Sequence, residues 1–254
     1  MCGIFGVGLK EDAKDRVDEI IERLCVLALA SETRGRSASG FAFLTTEGVK
    51  GVKNVGATHT LLGNRALWTM METQLPKSLA VIGHARAETQ GTSANNHNNH
   101  PITCGHITGI HNGMIRNYNE AKDSYPLRAQ VDSELIFSMI NEKSKKKDMQ
   151  TSIRETWTEL SGSMAIAFLD DRDSSMWLFR GSNPLEYVIT EKGDFWFASD
   201  DDFLEEALML KNAFKDIKTA KQDDILHWGT KERALAVHSG FSQPSLHELY
   251  HALM

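Results

Sequence analysis

The most reactive side chain near the start of the sequence is the thiol of Cys2, in the stretch MCGIFGVGLK. A cysteine here could be a packed apolar residue, a lipid attachment site or a nucleophile. Lipid attachment needs a signal peptide before the cysteine, and Met1 is not one, so we do not expect lipidation. Removal of Met1 is favoured when the next residue is small, and we expect Cys2 to become the first residue. Its α-amine, with an ordinary pKa of about 7.7–8.0, would then act as general base beside the thiol.

Five further motifs follow Cys2 along the chain. They are TRGRSASGFAF (33–43), GHARAETQG (83–91), NNHPI (98–102), HNGMIRNY (111–118) and DSELI (132–136). Together with MCGIFGV, these motifs resemble the glutaminase domain of the class II glutamine amidotransferases, a branch of the N-terminal-nucleophile hydrolases. The resemblance covers roughly residues 1–205. It implies hydrolysis of the glutamine side-chain amide to glutamate and ammonia through a thioester at Cys2.

The HNG motif contains two donors that suit an oxyanion. The side-chain amide of Asn112 and the backbone N–H of Gly113 are neutral donors, and glycine permits close approach of a substrate. The resemblance assigns the same oxyanion role to Asn112 and Gly113. Asn-Gly is also the commonest signal of a two-residue hairpin, so we expect this pair to lie on a tight turn.

Selection of glutamine from other amides requires groups that bind its α-carboxylate and its α-ammonium. A bidentate arginine suits the carboxylate, and an aspartate suits the ammonium. By the resemblance, Arg86 binds the carboxylate, Asp132 binds the amine, and Thr89 and Gln90 line the pocket. Without the other motifs, Arg86 would be interpreted as a surface arginine, and Asp132 or Ser133 as a helix cap.

Arg34, in TRGRSASG, resembles the arginine that this family has beside the nucleophile. A cation near Cys2 would favour the thiolate, whereas an isolated Arg-Gly pair is usually only part of a loop. The segment after the pocket arginine departs from the family pattern. Ala87 stands where an aromatic residue is usual, and Glu88 stands where a small or apolar residue is usual, so the lid over bound glutamine differs here.

Four histidines in a short stretch raise the question of a metal site: His97, His100, His106 and His111. Apart from Cys104, no carboxylate or cysteine joins them at a familiar ligand spacing, and NNHNNHP has the composition of a polar loop. The family that the motifs resemble needs no metal. We therefore expect loop histidines, with no metal and no other cofactor.

Short β-type runs alternate with helical patterns, and these elements must position the groups described above. Helices are expected at 12–30, around 61–74, and at 132–141, 151–161, 201–211 and 243–252. The strand candidates are GIFGVGL, GFAFLTT, LAVIGHA, HITGIHN, SMAIAFLD, SMWLFR, EYVIT, DFWFAS and DILHWG. Runs such as SMAIAFL are apolar on both faces, which indicates sheets covered on both sides. We expect an α+β fold, a four-layer αββα sandwich of two stacked, largely antiparallel sheets, as the resemblance also implies.

The composition is that of a globular protein, with 41% hydrophobic and 24% charged residues among 254. A formal charge of −6 argues against a nucleic-acid partner, because phosphate binding needs clustered basic residues. No apolar run is long enough to cross a bilayer, so we expect a cytoplasmic protein with no membrane partner. Three cysteines without a CxxC pair predict a reducing compartment and no disulfide framework, and Cys25 has the helical spacing of a core residue.

The motifs extend over most of the chain, so we expect one glutaminase-type domain over residues 1–254. After residue 205 only about fifty residues remain, near the lower limit for an independent core, and they suggest closing strands and a helix. We therefore expect no acceptor or synthase domain, L-glutamine as substrate, and a separate synthase partner that receives the ammonia. Two alternatives stay open: a stand-alone amidase of the same fold for another amide, and a non-catalytic regulatory or binding protein with a relic glutaminase fold.

Overall fold

The computed structural model describes residues 1–209 and 217–239, and its strands form two antiparallel sheets. The strands are β1 (Gly3–Gly8), β2 (Ala38–Thr45), β3 (Gly48–Val55), β4 (Ser78–Arg86), β5 (Ile102–Cys104), β6 (Ile107–Ile115), β7 (Gly162–Asp170), β8 (Ser175–Arg180), β9 (Glu186–Ile189), β10 (Phe195–Ala198), β11 (Lys218–Thr219), β12 (Ile225–Gly229) and β13 (Ala234–His238). The first sheet has the order β11-β9-β10-β1-β4-β2-β3, and the second has the order β13-β12-β8-β7-β6-β5.

The helices lie on the outer faces of the two sheets. They are α1 (Val17–Ser31), α2 (Thr58–Leu62), α3 (Arg65–Gln74), α4 (Tyr118–Ala121), α5 (Asp132–Lys143), α6 (Met149–Glu159) and α7 (Asp201–Met209). Side chains of α1, α3 and α7 pack in one apolar cluster with the first sheet. Side chains of α5 and α6 pack in another cluster with the second sheet.

Alternation along the strands explains how the layers hold together. On β1, Phe5 and Val7 belong to the helix-facing cluster, whereas Ile4 belongs to the cluster between the sheets. On β7, Ala167 packs between the sheets and Phe168 packs with α5 and α6. Both faces of each central strand are buried, so neighbouring residues along a strand pack alternately into two different cores. The predicted αββα sandwich is confirmed.

Every strand predicted from an apolar run is present, with ends that differ by three residues or fewer. Within residues 1–209 and 217–239, the sequence patterns missed four strands, β3, β5, β11 and β13. The sequence of β3, GVKGVKNV, is rich in glycine, lysine and asparagine, which are depleted in strands. It lies at the edge of the first sheet, where one side of the strand has no hydrogen-bonded neighbour and lysines are common.

The predicted helices are present where the structure describes the chain, with some changes of boundary. The first begins at Val17 after a 3-10 turn at Ala13–Asp15, and the helix expected around 61–74 is divided into α2 and α3. Asn64 separates these two because its side chain accepts a bond from the Ala66 N–H and caps α3. The helix expected at 201–211 is described as far as Met209, and the one expected at 243–252 lies outside the described residues.

Two further sequence expectations concern the membrane and the cysteines. None of the helices in the described ranges combines the length and apolar character that crossing a bilayer requires. All three cysteines are free thiols, as expected for a chain without a disulfide framework. Cys25 is half-buried and packs against the helix-facing core of the first sheet.

Candidate active site

Cys2 lies directly before β1, and the pairing of β1 with β4 fixes its surroundings. The register that pairs Gly3 with Ala85 brings Cys2 next to the end of β4, at Arg86 and Ala87. The Cys2 thiol donates a 3.6 Å hydrogen bond to the Ala87 carbonyl. The candidate nucleophile therefore lies beside the arginine that the motifs associate with the substrate.

The loop that carries Arg34 packs against the same end of β4. A Cβ atom on Gly35 would lie 2.3 Å from the Ala87 backbone nitrogen, so this approach requires glycine. Arg34 Nε donates to the Cys2 carbonyl at 3.1 Å, and Arg34 Nη1 forms a 3.1 Å ion pair with Asp200. The contacts of Arg34 are thus with the backbone of Cys2, not with its thiol, and they hold the nucleophile in place.

The Cys2 thiol is in a desolvated position. Burial raises its pKa above the ordinary value, and the hydrogen bond to Ala87 and the positive charges of the N-terminus and Arg86 oppose this only in part. A thiol with a raised pKa is neutral at pH 7 and attacks a carbonyl poorly until a base removes its proton. The site therefore needs a general base close to Cys2.

Asn112 and Gly113 lie within β6, so the prediction of a tight turn at this pair is wrong. They pair with Ala165 and Met164 of β7 in a continuous antiparallel ladder. Asn-Gly has a local preference for hairpins, and here the pairing of β6 with β7 outweighs it. Gly113 has a φ of +154°, and a Cβ atom there would lie 2.0 Å from the Ser163 carbonyl oxygen. Glycine is required at this position because there is no space for a side chain.

Asn112 is fully buried, and in the part of the chain that the structure describes neither polar atom of its side chain has a hydrogen-bond partner. Its backbone carbonyl accepts a 2.8 Å bond from the Asn183 side chain, which fixes the main chain at this point. An unpaired buried polar group costs about 1–3 kcal/mol, and native structures contain few of them. An amide kept in this state is suited to donate to an oxyanion that forms only during a reaction.

Arg86 is buried at the end of β4 and contacts the loop that follows it. Its Nη1 donates to Asn99 Oδ1 at 2.7 Å, and its Nη2 donates to the carbonyls of Gln90 and Gly91 at 2.7 and 2.6 Å. All three acceptors are neutral, and burial lowers the pKa of the guanidinium. A buried cation held by neutral acceptors attracts an anion such as a carboxylate strongly.

Asp132 is the first residue of α5, so the interpretation of Asp132 or Ser133 as a helix cap, which applied to these residues without the other motifs, is wrong. The N-cap residue is Val131, and no side chain provides a capping bond there. The Asp132 carboxylate instead accepts a 2.7 Å bond from the Ile115 N–H at the end of β6, and Ser133 Oγ is hydrogen-bonded to His111 Nδ1 at 2.9 Å. Both side chains therefore join α5 to β6.

A small cavity of about 20 Å³ brings most of the predicted site residues together. It is lined by Cys2, Arg86, Ala87, Thr89, Gln90, His100, His111, Gly113, Val131, Asp132 and Ser133. Asn112 and Arg34 are outside this lining: Asn112 precedes Gly113 on β6, and Arg34 holds the Cys2 backbone. The volume suffices for about one water molecule. An amino acid is larger than this space, so part of the lining must rearrange before one can bind.

Three buried histidines lie at this site, and the sequence patterns did not connect them with it. His84 Nε2 donates to the His111 carbonyl at 3.0 Å, and the rings of His84 and His100 stack with centroids 4.1 Å apart. Burial lowers the pKa of His84 to about 3 and also lowers those of His100 and His111. All three are therefore neutral at pH 7. Only the packing of the two sheets brings them together, and no local sequence signal reports that.

The four histidines considered above as metal ligands are divided between three places. His100 and His111 line the small cavity. His106 is hydrogen-bonded to Ser144 Oγ at 3.1 Å. His97 is exposed and lines a different cavity near the edges of the sheets.

Comparisons with known proteins agree with the fold. Residues 84–206 match the family described as a glutamine amidotransferase domain. Over 192 residues the chain is 31% identical to glutamine–fructose-6-phosphate aminotransferase (isomerizing) of Halalkalibacterium halodurans. The match covers 73% of this chain and 30% of that protein. Over 207 residues it is 30% identical to the protein of the same name from Thermus thermophilus, with coverage of 79% and 32%. The chain therefore spans about a third of the length of these curated relatives.

Among solved structures, the fold is similar to that of glutamine phosphoribosylpyrophosphate amidotransferase from B. subtilis. The TM-score is 0.72 at 18% identity, and the match covers 95% of this chain and 50% of the other. Two stacked antiparallel sheets between helices define the fold of an N-terminal-nucleophile hydrolase, with a cysteine next to the first strand. The chain belongs to the glutamine amidotransferase family.

Proposed function

We propose that this domain hydrolyses the side-chain amide of glutamine to glutamate and ammonia, with the Cys2 thiol as nucleophile. The observation that carries the proposal is the single cavity lined by Cys2, Arg86 and Asp132. A nucleophile, a buried cation and a carboxylate around one cavity match the amide, the α-carboxylate and the α-ammonium of a free amino acid. Family membership supports the same reaction.

Cleavage of the chain immediately before Cys2 supplies the general base in this mechanism. The freed α-amine is within reach of the thiol of its own residue and accepts the thiol proton. The thiolate then attacks the side-chain carbonyl carbon of glutamine, forming a C–S bond and moving the carbonyl electron pair onto oxygen. The raised pKa of the Cys2 thiol supports the need for this base.

The tetrahedral intermediate then re-forms its carbonyl and breaks the C–N bond. The leaving nitrogen takes the proton held by the α-ammonium of Cys2 and departs as ammonia, which leaves a thioester on Cys2. Water attacks the thioester with the α-amine again as base, and glutamate and the thiol are released. In both steps, the Asn112 amide and the Gly113 N–H stabilise the oxyanion.

The head group of the substrate is bound by Arg86 and Asp132 in this proposal. The α-carboxylate replaces the carbonyls of Gln90 and Gly91 on the Arg86 guanidinium, and Asp132 accepts the α-ammonium. Because the cavity is about 20 Å³, binding requires the loop after β4 to open and re-form around the substrate. Thr89 and Gln90 on that loop then line the enlarged pocket, an induced fit that couples binding to assembly of the site.

Ammonia passes, in our proposal, to an acceptor bound by a separate synthase partner. The relatives are named as an aminotransferase and an amidotransferase, and the match covers 30% of one and 50% of the other. We expect glutamine hydrolysis to be slow until the partner and its acceptor order the loop over the substrate. Co-purification from the native host, followed by glutaminase assays with and without the partner, tests this part.

The central test is a glutaminase assay on protein whose first residue is shown by intact mass to be Cys2. L-Glutamine, L-asparagine and a peptide with an internal glutamine are compared as substrates. Glutamate release from free glutamine, with little turnover of the other two, supports the proposal. Turnover of another amide but not of glutamine would favour the stand-alone amidase. Glutamine binding without turnover of any amide would favour a binding or regulatory protein.

A further inference from the structure

Arg86 is held by a hydrogen-bond chain that begins outside the small cavity, at Lys53 on the edge strand β3. Lys53 Nζ donates to the Asn99 carbonyl at 2.6 Å and to the Pro101 carbonyl at 2.9 Å. The side chain of the same Asn99 accepts the 2.7 Å bond from Arg86 Nη1. One residue therefore connects the lysine on the sheet edge to the guanidinium in the site.

The orientation of Asn99 is fixed by its other contacts. Asn99 is fully buried, and its Nδ2 donates to the Ser93 carbonyl at 2.8 Å and to Asn96 Oδ1 at 3.0 Å. With the amide nitrogen engaged by these acceptors, Oδ1 is the atom that faces Arg86. Any movement of the Asn99 backbone therefore also moves the acceptor of the Arg86 bond.

The packing around Gly40 explains why Lys53 reaches this segment. Gly40 is the cross-strand partner of Lys53 in the β2–β3 ladder. A Cβ atom on Gly40 would lie 2.3 Å from the His100 carbonyl oxygen and 2.7 Å from Lys53 Cβ. Residues 99–101 thus lie directly against these strands, and the ammonium group of Lys53 fastens them there through two carbonyls.

Lys53 does not contact the cavity of Cys2. It lines a separate cavity of about 400 Å³ together with Pro101, Glu134 and other residues, none of which lines the smaller cavity. Burial lowers the pKa of Lys53 to about 8, and a desolvated ammonium forms stronger bonds to carbonyl oxygens than one in water. Apart from the Coulombic effect of its charge on Arg86 and His100, Lys53 reaches a substrate beside Cys2 through the segment it holds.

We propose that Lys53 is a positioning residue for the α-carboxylate of the substrate: through Asn99, it holds the Arg86 guanidinium in the orientation that receives the carboxylate. The proposal rests on the glutaminase function proposed above. Loss of the Lys53 bonds frees residues 99–101 and lets Arg86 turn away, so substrate binding weakens. The thiol, the α-amine and the oxyanion donors are unaffected, so turnover of bound substrate continues.

Lys53→Met is the main test, because it keeps most of the length of the side chain and removes its donors. We expect the KM for glutamine to rise about 10-fold with kcat within about 3-fold of wild type, the size expected for loss of a charged hydrogen bond. Lys53→Arg should restore most of the affinity, since a guanidinium can donate to both carbonyls and the 400 Å³ cavity leaves room for it. Lys50→Met, an exposed position on the same strand, is the matched control.

Hydrogen exchange of the loop between β4 and β5 gives a readout that does not depend on turnover. Lys53→Met should speed exchange in residues 93–100 of the unliganded protein, whereas Lys50→Met should not. An unchanged KM in Lys53→Met, or a KM raised equally in Lys53→Arg, would overturn the positioning role. If wild-type protein shows no glutamine hydrolysis, the proposed function fails. In that case, unchanged hydrogen exchange of the loop between β4 and β5 in Lys53→Met would also overturn the inference about Lys53.

The double variant Lys53→Met with Asn99→Ala tests whether the effect passes through Asn99. Asn99→Ala removes Oδ1, the acceptor of the Arg86 bond, so Lys53 can no longer position Arg86 by holding the Asn99 backbone. Its substitution should then change KM by less than about 2-fold beyond Asn99→Ala alone, a strong departure from additivity. If the KM changes of the two single variants simply multiply in the double variant, the proposed route through Asn99 is overturned. The melting temperature of each variant, measured in parallel, identifies any loss of folded protein.

Discussion

The two sides of the candidate site are built in different ways. On the strand side, formed by Asn112 and Gly113 of β6, the backbone is part of a continuous ladder with β7, and Asn183 holds the Asn112 carbonyl. On the loop side, formed by Arg86 and residues 87–99, a guanidinium is held by two backbone carbonyls and one side-chain amide of the same loop. The strand side is preformed, whereas in the proposed function the contacts of the loop side are exchanged for contacts with the substrate.

This difference separates two kinds of task. A group that stabilises a transition state must already be in place, since any reorganisation at that moment adds to the barrier. A group that binds a substrate can exchange existing hydrogen bonds for new ones, and this exchange lets binding energy close the site. Substitutions on the strand side should therefore act on kcat, and substitutions on the loop side should act on KM.

Cys2→Ala removes the nucleophile and should have the largest effect. We expect glutamine hydrolysis to fall by at least about 10⁴-fold, because no other group can form the thioester. Cys25→Ala, a half-buried thiol on α1, is the control and should retain activity. An electrophilic glutamine analogue should label Cys2 and spare Cys25 and Cys104, and peptide mapping that found the label elsewhere would reject Cys2 as nucleophile.

Asn112→Ala tests the strand side directly. The oxyanion exists mainly in the transition state, so loss of one donor should lower kcat by about 10²–10³ with a smaller change in KM. The fold should be little affected, since neither polar atom of this side chain has a partner among the described residues. Steady-state kinetics measures kcat and KM, and a melting curve measures the stability of the fold. A change confined to KM would show that Asn112 binds substrate in its ground state and would remove the distinction between the sides.

Arg86→Lys tests the loop side with the charge retained. A lysine cannot present two parallel donors to a carboxylate and also hold Asn99, so we expect KM for glutamine to rise by about 10–100-fold. The expected kcat at saturation lies within about 3-fold of wild type. Arg36→Lys, at an exposed position on the loop that carries Arg34, serves as the control. A large loss of kcat with unchanged KM would mean that Arg86 acts in the chemical step.

Much of this site could be predicted from sequence because its residues lie in short motifs. Cys2, Arg86, Thr89, Gln90, Gly113 and Asp132 all line one cavity, as the resemblance to a known family implied. The local interpretations were less reliable. Asn-Gly was expected to turn the chain, and Asp132, taken without the other motifs, resembled a helix cap. Both residues instead lie where long-range contacts decide, Asn-Gly in the β6–β7 ladder and Asp132 against Ile115.

Other parts of the site had no local signal at all. Lys53 lies on β3, which contains glycine, lysine and asparagine, residue types that are depleted in strands. Its contact with Asn99 crosses 46 positions of sequence. His84, His100 and His111 occupy separate motifs, and only the stacking of the two sheets shows that they meet beside the small cavity. Contacts of this kind follow from tertiary packing, which periodicity and propensity do not report.

The last effect we predict concerns these histidines, which join the two sides of the site, and it acts on stability rather than on turnover. In an unfolded chain a histidine has a pKa of about 6.5, whereas burial lowers that of His84 to about 3 and that of His100 well below its ordinary value. As the pH falls below about 6.5, the unfolded chain binds protons that the folded protein does not. The free energy of unfolding should therefore decrease on acidification, by up to about 1.4 kcal/mol per pH unit for each such histidine.

His100→Phe isolates one of these groups. It keeps an aromatic ring against His84, and it loses no hydrogen bond, because neither ring nitrogen of His100 has a partner among the described residues. Urea unfolding between pH 6.5 and 4 should show a slope shallower than that of wild type by up to about 1.4 kcal/mol per pH unit. His97→Phe, at an exposed position, is the control, and the slope is the readout because the new ring can change the absolute stability. Equal slopes in His100→Phe and wild type would mean that His100 accepts a proton in the folded protein. A second cation would then lie beside Arg86, and the loop side would attract a carboxylate more strongly in acid than at neutral pH.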